Sequence, residues 1–396
     1  MKKVFLGIVM KKLLFICMSL FSCSWFLSCS NDYEENILNE DVETLLDGSH
    51  YISVEQAKKN AIEFINTFQS KETRGVKKTF EVENVVTCSA TDFTSMESRS
   101  ASSSKPVFYA INFKGENGFV LASTDDRYIP VYAYVENGSF PGTESGNVGY
   151  NQFLKNIAMK VTDKNDSSLL VKEQEGVMRN VQIEPLLHVK WDKGSPYNAH
   201  SFFTYCSPMG VALAQICSYY LYPTTATYHD NGDSTTFSMN WSSILIECLL
   251  NDGKLLTNNT NSDALAHLIH YLEYHYGTET LNNSEQCLSF MYQLGYHVSQ
   301  LHGLWFSSDV NNVATALGQS KLIYARGYAT QNSNLYSDGH AWVIDGYHDD
   351  ANSGEGYMHC NWGWGGDYNG YFTVDGFTPY SSMHYQYQMA YSIIYY

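Results

Sequence analysis

The sequence predicts an α+β fold in two successive units, and three stretches carry that reading. Residues 53–56, Ser-Val-Glu-Gln, form a capping box that opens a helical period, with Ala57, Ala61, Phe64, Ile65 and Phe68 on one face. Residues 209–220 are mostly small and apolar, which suits a buried helix. Residues 341–347 and 356–361 are short, β-rich runs on either side of the polar turn 348–354, a hairpin signal.

At 396 residues the chain has room for two or three domains, each able to bury a core. The formal net charge of −17, with no basic stripe, argues against a nucleic-acid partner. Charged residues are sparse at 16 % while aromatics reach 15 %, with 31 tyrosines, which fits an aromatic-packed, β-rich protein. The nine cysteines include no Cys-x-x-Cys pair, so neither a zinc ribbon nor a redox motif is expected. Three of them fall in the leader, and the spacing of the rest is not that of a disulfide framework.

Taken in order, residues 1–29 read as a signal peptide, in which Lys11-Lys12 precede the apolar run 13–26 and Met10 opens a second, shorter leader. Its end, Phe26-Leu27-Ser28-Cys29, resembles a bacterial lipobox, which makes Cys29 the expected lipidation site; Phe26 stands where Leu is usual. An ordinary secretory signal is the alternative, and both readings export the chain, to the cell surface or beyond it. No later run is long and apolar enough to span a bilayer, so membrane contact is expected only through the lipid. Residues 30–49 are an acidic tether.

The first unit, residues 50–165, continues from the helix at 57–68 into strands at 79–87, 107–113, 118–123 and 129–135, then a helix at 150–161. Residues 89–104 between them are rich in Ser and Thr and read as a loop. This unit offers no active centre: its one cysteine is Cys88, and after His50 the next histidine is His188. Residues 166–182 are polar and read as an exposed processing linker. The second unit, residues 183–396, holds the apolar helix, the hairpin, and further strands at 370–374 and 385–396.

The chemistry gathers in the second unit. Ser207 can cap the helix with Pro208 at its first position, which leaves Cys206 immediately before a helix N-terminus. There, unpaired N–H groups and the macrodipole favour a thiolate. His340 enters the first strand of the hairpin and Asn361 ends the second, so pairing can bring imidazole and amide together. Cys206 precedes His340 by 134 residues and Asn361 by 155, the chain order and rough spacing of a Cys-His-Asn hydrolase. Cys217, Cys248 and Cys287 lie in helical stretches, and Cys360 would reverse the order. Gly363–Gly366 lacks the following helix and Lys-Ser/Thr of a phosphate loop, and no Gly-x-Ser-x-Gly elbow supports a serine nucleophile at Ser201 or Ser207. His267, His270 and His275 share a helical stretch with Asp263 and Glu273, but no His-Glu-x-x-His is present, and no metal or other cofactor is expected.

Residues 191–198, 206–223 and 339–366 together resemble the streptopain-type cysteine peptidases, a branch of the papain-like fold. Gly339–Gly346 matches the family's Gly-His-Ala-x-Val-Ile-Asp-Gly, and Asn361–Gly366 matches its Asn-Trp-Gly-Trp-Gly-Gly in full. The resemblance implies a two-lobed peptidase domain behind an inhibitory α+β propeptide. It implies Cys206 as nucleophile, His340 as base, Asn361 as the orienting amide, and Trp362 as cover for the His–Asn contact. Protein or peptide substrates, and the chain's own propeptide as inhibitor, are then the partners. Two positions depart from the family pattern. The family nucleophile stands seven residues before the Gln at position 215, where this chain has Pro208. Lys193 stands where the family has its oxyanion Gln, and becomes the oxyanion candidate with the backbone N–H of Cys206. The departures keep a second reading open, a catalytically inactive homologue that binds peptides or a protein in the same cleft. A third, prompted by the many Tyr and Trp, is a glycan-binding surface protein.

Overall fold

The amphipathic period near the start becomes helix α1 (Val54–Gln69), with the Gln56 N–H donating to Ser53 Oγ at 3.3 Å. Ala57, Ala61, Phe64 and Ile65 are buried, as the period requires, and Phe68 is half-buried. The Gln56 side chain bonds Asn60 instead of closing the box. Strands β1 (Val82–Ser89), β2 (Pro106–Phe113), β3 (Phe119–Ser123) and β4 (Val131–Val135) follow as an antiparallel meander. All residues of β2, β3 and β4 are buried, because the sheet is covered on both faces. Tyr109, Ile111 and Phe113 pack under α1, while Phe108 and Ala110 point to the other side. There lies helix α2 (Val148–Thr162), capped by Asn147 and burying Tyr150, Phe153, Leu154 and Ile157.

This computed structural model describes residues 50–69, 79–93, 105–163, 166–171, 181–201, 203–230, 232–274, 284–303, 307–328, 339–350, 353–377 and 389–396. The signal peptide with Cys29, the acidic tether, most of the Ser/Thr-rich stretch, the middle of the linker and His275 lie outside them. No helix among the described residues is long and apolar enough to cross a membrane.

Beyond the linker, strand β5 (Gln182–Ile183) leads to helix α3 (Pro208–Tyr220), then the hairpin β6 (Thr225–Asp230) and β7 (Asp233–Ser238). Helices α4 (Trp241–Leu250), α5 (Thr260–Tyr274) and α6 (Ser284–Gln293) complete a helical lobe around buried α3. Short strands β8 (His297–Val298) and β9 (His302–Gly303) and helix α7 (Ser307–Gly318) lead to the β lobe. Its strands are β10 (Leu322–Tyr328), β11 (Gly339–Asp349), β12 (Gly356–Asn361), β13 (Gly370–Thr373) and β14 (Ala390–Tyr395). The expected hairpin is β11–β12, with a bulge between Ile344 and Gly346.

The two units of the sequence reading are not separate sheets. Strand β13 pairs with β4, so the order runs β1-β2-β3-β4-β13-β12-β11-β10-β14-β8 through one continuous antiparallel sheet. Gly370 makes the junction possible: a Cβ there would lie 2.2 Å from the Tyr134 carbonyl oxygen. The linker is anchored at both ends as well. Leu170 bridges Tyr128, and Gln182–Ile183 pair with His348 and Tyr347 of β11.

Candidate active site

The N-terminus of α3 is built as its sequence dictates. Ser207 is the cap, its hydroxyl accepting from the Gly210 N–H at 3.0 Å, and Pro208 occupies the first turn. A carboxylate from α5 also sits there: Glu273 accepts the Ser207 N–H through Oε1 and the Ser201 hydroxyl through Oε2. Glu273 is buried, and burial raises its carboxyl above the usual range. The positive end of α3 thus faces a carboxyl group before any thiolate can use it.

Cys206 sits against this terminus but turns inward. It is 2 % exposed, its thiol donates to the Tyr197 carbonyl at 3.2 Å, and its N–H donates to the Lys193 carbonyl at 2.8 Å. Burial, then the negative field of Glu273 and Asp192, push its pKa far above the free thiol value. Here it is a neutral thiol. Cys217 and Cys248 are buried core thiols, pushed up to about 12 and about 11 by desolvation.

His340 enters β11 opposite Gly327 and is enclosed by Trp342, Trp362 and Trp364, with ring centroids 6.1, 5.9 and 6.3 Å away. Its Nε2 lies 3.0 Å from the Trp362 carbonyl, to which an Nε2–H donates, leaving Nδ1 as the basic nitrogen. Burial, and next the charge of Lys193, lower its pKa to about 3, so the imidazole is neutral. Lys193 rests its ammonium 4.0 Å from the centroid of the Trp364 ring, and desolvation lowers its own pKa.

Asn361 stands opposite Val343 in the β11–β12 register, three positions along from His340. Its amide donates to the Val189 carbonyl at 2.8 Å and accepts from Gly363 N–H at 3.3 Å. The imidazole is therefore held by the carbonyl of the next residue, not by the Asn361 amide that the hairpin reading suggested. Trp362 is fully buried beside the imidazole and donates its indole N–H to the Tyr368 carbonyl at 2.9 Å.

The structure thus brings Lys193, His340, Trp362 and Trp364 together, while Cys206 and His340 each direct their hydrogen bond elsewhere. Helix α2 of the first unit closes over this group. A Cβ on Gly149 would lie 2.6 Å from the Trp362 ring and 3.3 Å from His340 Cδ2. Sequence reasoning missed Gly149, and it set Glu273 only beside the helical histidines and not at the α3 terminus, since neither residue lies near the motif in the chain.

Comparison with known proteins agrees with this architecture. Residues 191–372 match the family described as Peptidase C10, and residues 49–161 match the one described as Spi protease inhibitor. The chain is 24 % identical over 319 residues to the thiol protease/hemagglutinin PrtT of Porphyromonas gingivalis, covering 71 % of this chain but only 35 % of that protein. It is 23 % identical over 303 residues to streptopain of Streptococcus pyogenes, covering 66 % of this chain and 72 % of streptopain. A fragment of Prevotella intermedia prointerpain A superposes with a TM-score of 0.53 at 18 % identity, over 73 % of this chain and 95 % of the fragment, which shows a shared fold.

Proposed function

We propose that the chain is the zymogen of a cysteine endopeptidase of the peptidase C10 family, with a Spi-type inhibitor domain ahead of a papain-like peptidase domain, a reading supported by the matches of residues 191–372 and 49–161. The observation that supports a latent state is the seat of Gly149 against Trp362 and His340, the proposed catalytic base. Activation is cleavage within the linker, between the anchored Leu170 and Gln182, followed by departure of α2.

Turnover then requires the segment from Lys193 to Ser207 to rearrange. The Cys206 thiol must leave the Tyr197 carbonyl and deliver its proton to Nδ1 of His340. The thiolate attacks the scissile carbonyl, the imidazolium protonates the leaving amine, and water released onto the acyl-enzyme by the same base completes hydrolysis. Asn361, one residue from the carbonyl that now holds His340, is the proposed orienting amide of the active form, with Trp362 as its cover. The Cys206 N–H and Lys193 ammonium are the proposed oxyanion donors, and that N–H must first leave the Lys193 carbonyl.

The test compares intact precursor, linker-cleaved protein and Cys206→Ala on an unfolded protein substrate. Hydrolysis is expected only in the cleaved wild type. Persistence in Cys206→Ala would reassign the nucleophile. The buried, carbonyl-bound thiol and Pro208 in the family register favour a second reading, a catalytically silent peptide-binding homologue. Cleaved protein that binds the substrate without hydrolysing it would select that reading.

Export as a lipoprotein through Cys29 completes the proposal, supported by the Ser28-Cys29 pair after the apolar run. Cys29→Ala is expected to release the protein from membranes, and unchanged fractionation with undiminished lipid labelling would remove the anchor.

A further inference from the structure

Outside the active site, one cluster of ligating side chains draws on distant parts of the chain. His200 lies in the loop before Cys206, whereas Asp263 and His267 occupy the first two turns of α5. Both imidazoles present Nε2 to one carboxylate: His200 Nε2 is 2.8 Å from Asp263 Oδ1, and His267 Nε2 is 3.8 Å from Asp263 Oδ2. One ligand atom from each of the three residues falls within 4.8 Å of the others.

The surroundings hold His267 in place. The two imidazole rings stack at 3.6 Å between centroids, 11° from parallel. Phe237 of β7 stacks on the His267 ring from 5.8 Å. Tyr228 Oη of β6 lies 3.0 Å from His267 Nδ1, and the tautomer that donates there leaves the Nε2 lone pair for a cation. Burial, followed by the field of His200, lowers the His267 pKa.

We propose that His200 Nε2, the Asp263 carboxylate and His267 Nε2 form a site for a divalent transition-metal ion of the zinc class, which ties the loop before Cys206 to helix α5. Two imidazoles and one carboxylate are the donor set such an ion takes, with ligand distances of about 2.0–2.2 Å. Stacked rings cannot both hold one ion in their planes, so the His200 ring must turn out of the stack to complete a tetrahedral site. Asp263 and His200, 60 % and 30 % exposed, have room to move, while His267 is the fixed point. The ion replaces the proton shared between Asp263 and His200, and the fourth position stays with water. Three protein ligands on a surface make an exchangeable site rather than a folding-essential one. Its consequence is mechanical, because His200 is six residues from Cys206 and the same helix already holds Ser201 and Ser207 through Glu273.

The test is titration of Zn²⁺ into the purified precursor by calorimetry, with Co²⁺ as an optical probe. One equivalent is expected to bind and raise the melting temperature, and the Co²⁺ adduct should show weak visible bands without a near-ultraviolet thiolate band. His200→Gln and Asp263→Asn are each expected to weaken binding by about tenfold or more, and His200→Gln/His267→Gln to abolish it. The exposed Asp263→Asn variant keeps the test decisive should the double variant misfold. A thiolate band, equal affinity in Asp263→Asn, or no saturable binding at millimolar Zn²⁺ would overturn the proposal.

Discussion

Cys206 shows how two local effects of opposite sign compete at one residue. Its place before a capped helix favours thiolate, but Glu273 reaches the same helix end from α5 and the thiol turns into the core. The carboxyl group and burial win, so the precursor holds a thiol. Cys206 in intact precursor is therefore expected to alkylate with iodoacetamide no faster than the buried Cys217 at neutral pH. Linker cleavage should accelerate Cys206 labelling alone, and His340→Ala should remove that acceleration. Mass spectrometry of the labelled peptides measures both. Rapid labelling in the precursor would mean that the thiol already faces solvent.

At the scale of the element, the proposed latency rests on α2 rather than on the Cys-bearing helix. Gly149 lets the first turn of α2 settle on Trp362 and His340, and Phe153, Leu154 and Ile157 carry the packing behind it. Gly149→Val drives a branched side chain into the Trp362 ring, an overpacking that costs about 1–3 kcal/mol. The inhibitor domain should then dock about fivefold to a hundredfold more weakly, and precursor conversion should quicken. Added in trans, the isolated wild-type and variant segments should differ in inhibition of the cleaved enzyme by that factor. Equal inhibition would move the control of latency away from this contact.

Across the whole molecule, an ion cluster centred on buried His359 links the two units. His359 Nδ1 lies 2.6 Å from Asp345 Oδ1, and its Nε2 lies 3.6 Å from Glu136 Oε2 just beyond β4. The second contact is an ion pair beyond hydrogen-bond reach. Burial opposes the charge on His359, but the two carboxylates outweigh it and raise its pKa to about 10. Folding therefore takes up a proton between about 6.5, the free value, and about 10. The stability this lends is complete below about 6.5 and is lost as the pH rises through about 10. Denaturant midpoints of the precursor should fall between neutral pH and that limit, and Glu136→Gln should start the fall at lower pH. A flat profile in wild type would show that His359 is not charged in the fold.

The same scale separates what composition and periodicity carry from what they cannot. Helix α1, the β2–β3–β4 meander, α3 and the β11–β12 hairpin were all legible, because caps, apolar periods and polar turns act over a few residues. So was the resemblance to the family, since Asn361–Gly366 and Gly339–Gly346 are contiguous motifs. The β4–β13 junction was not legible: a polar linker suggests separation, and nothing local says that two sheets will share an edge. The partners of the site residues were equally hidden. His340 bonds the Trp362 carbonyl because a three-residue offset in strand register moves the Asn361 amide past it. Lys193 meets Trp364 across 171 positions, and His200 meets Asp263 across 63. Such contacts depend on how whole elements pack, and packing sums many weak interactions that no short stretch encodes. The residue types capable of the chemistry were thus present in the chain order, whereas their pairing, burial and charge state followed from the close packing of α2 and α3 on one sheet and of α5 against α3.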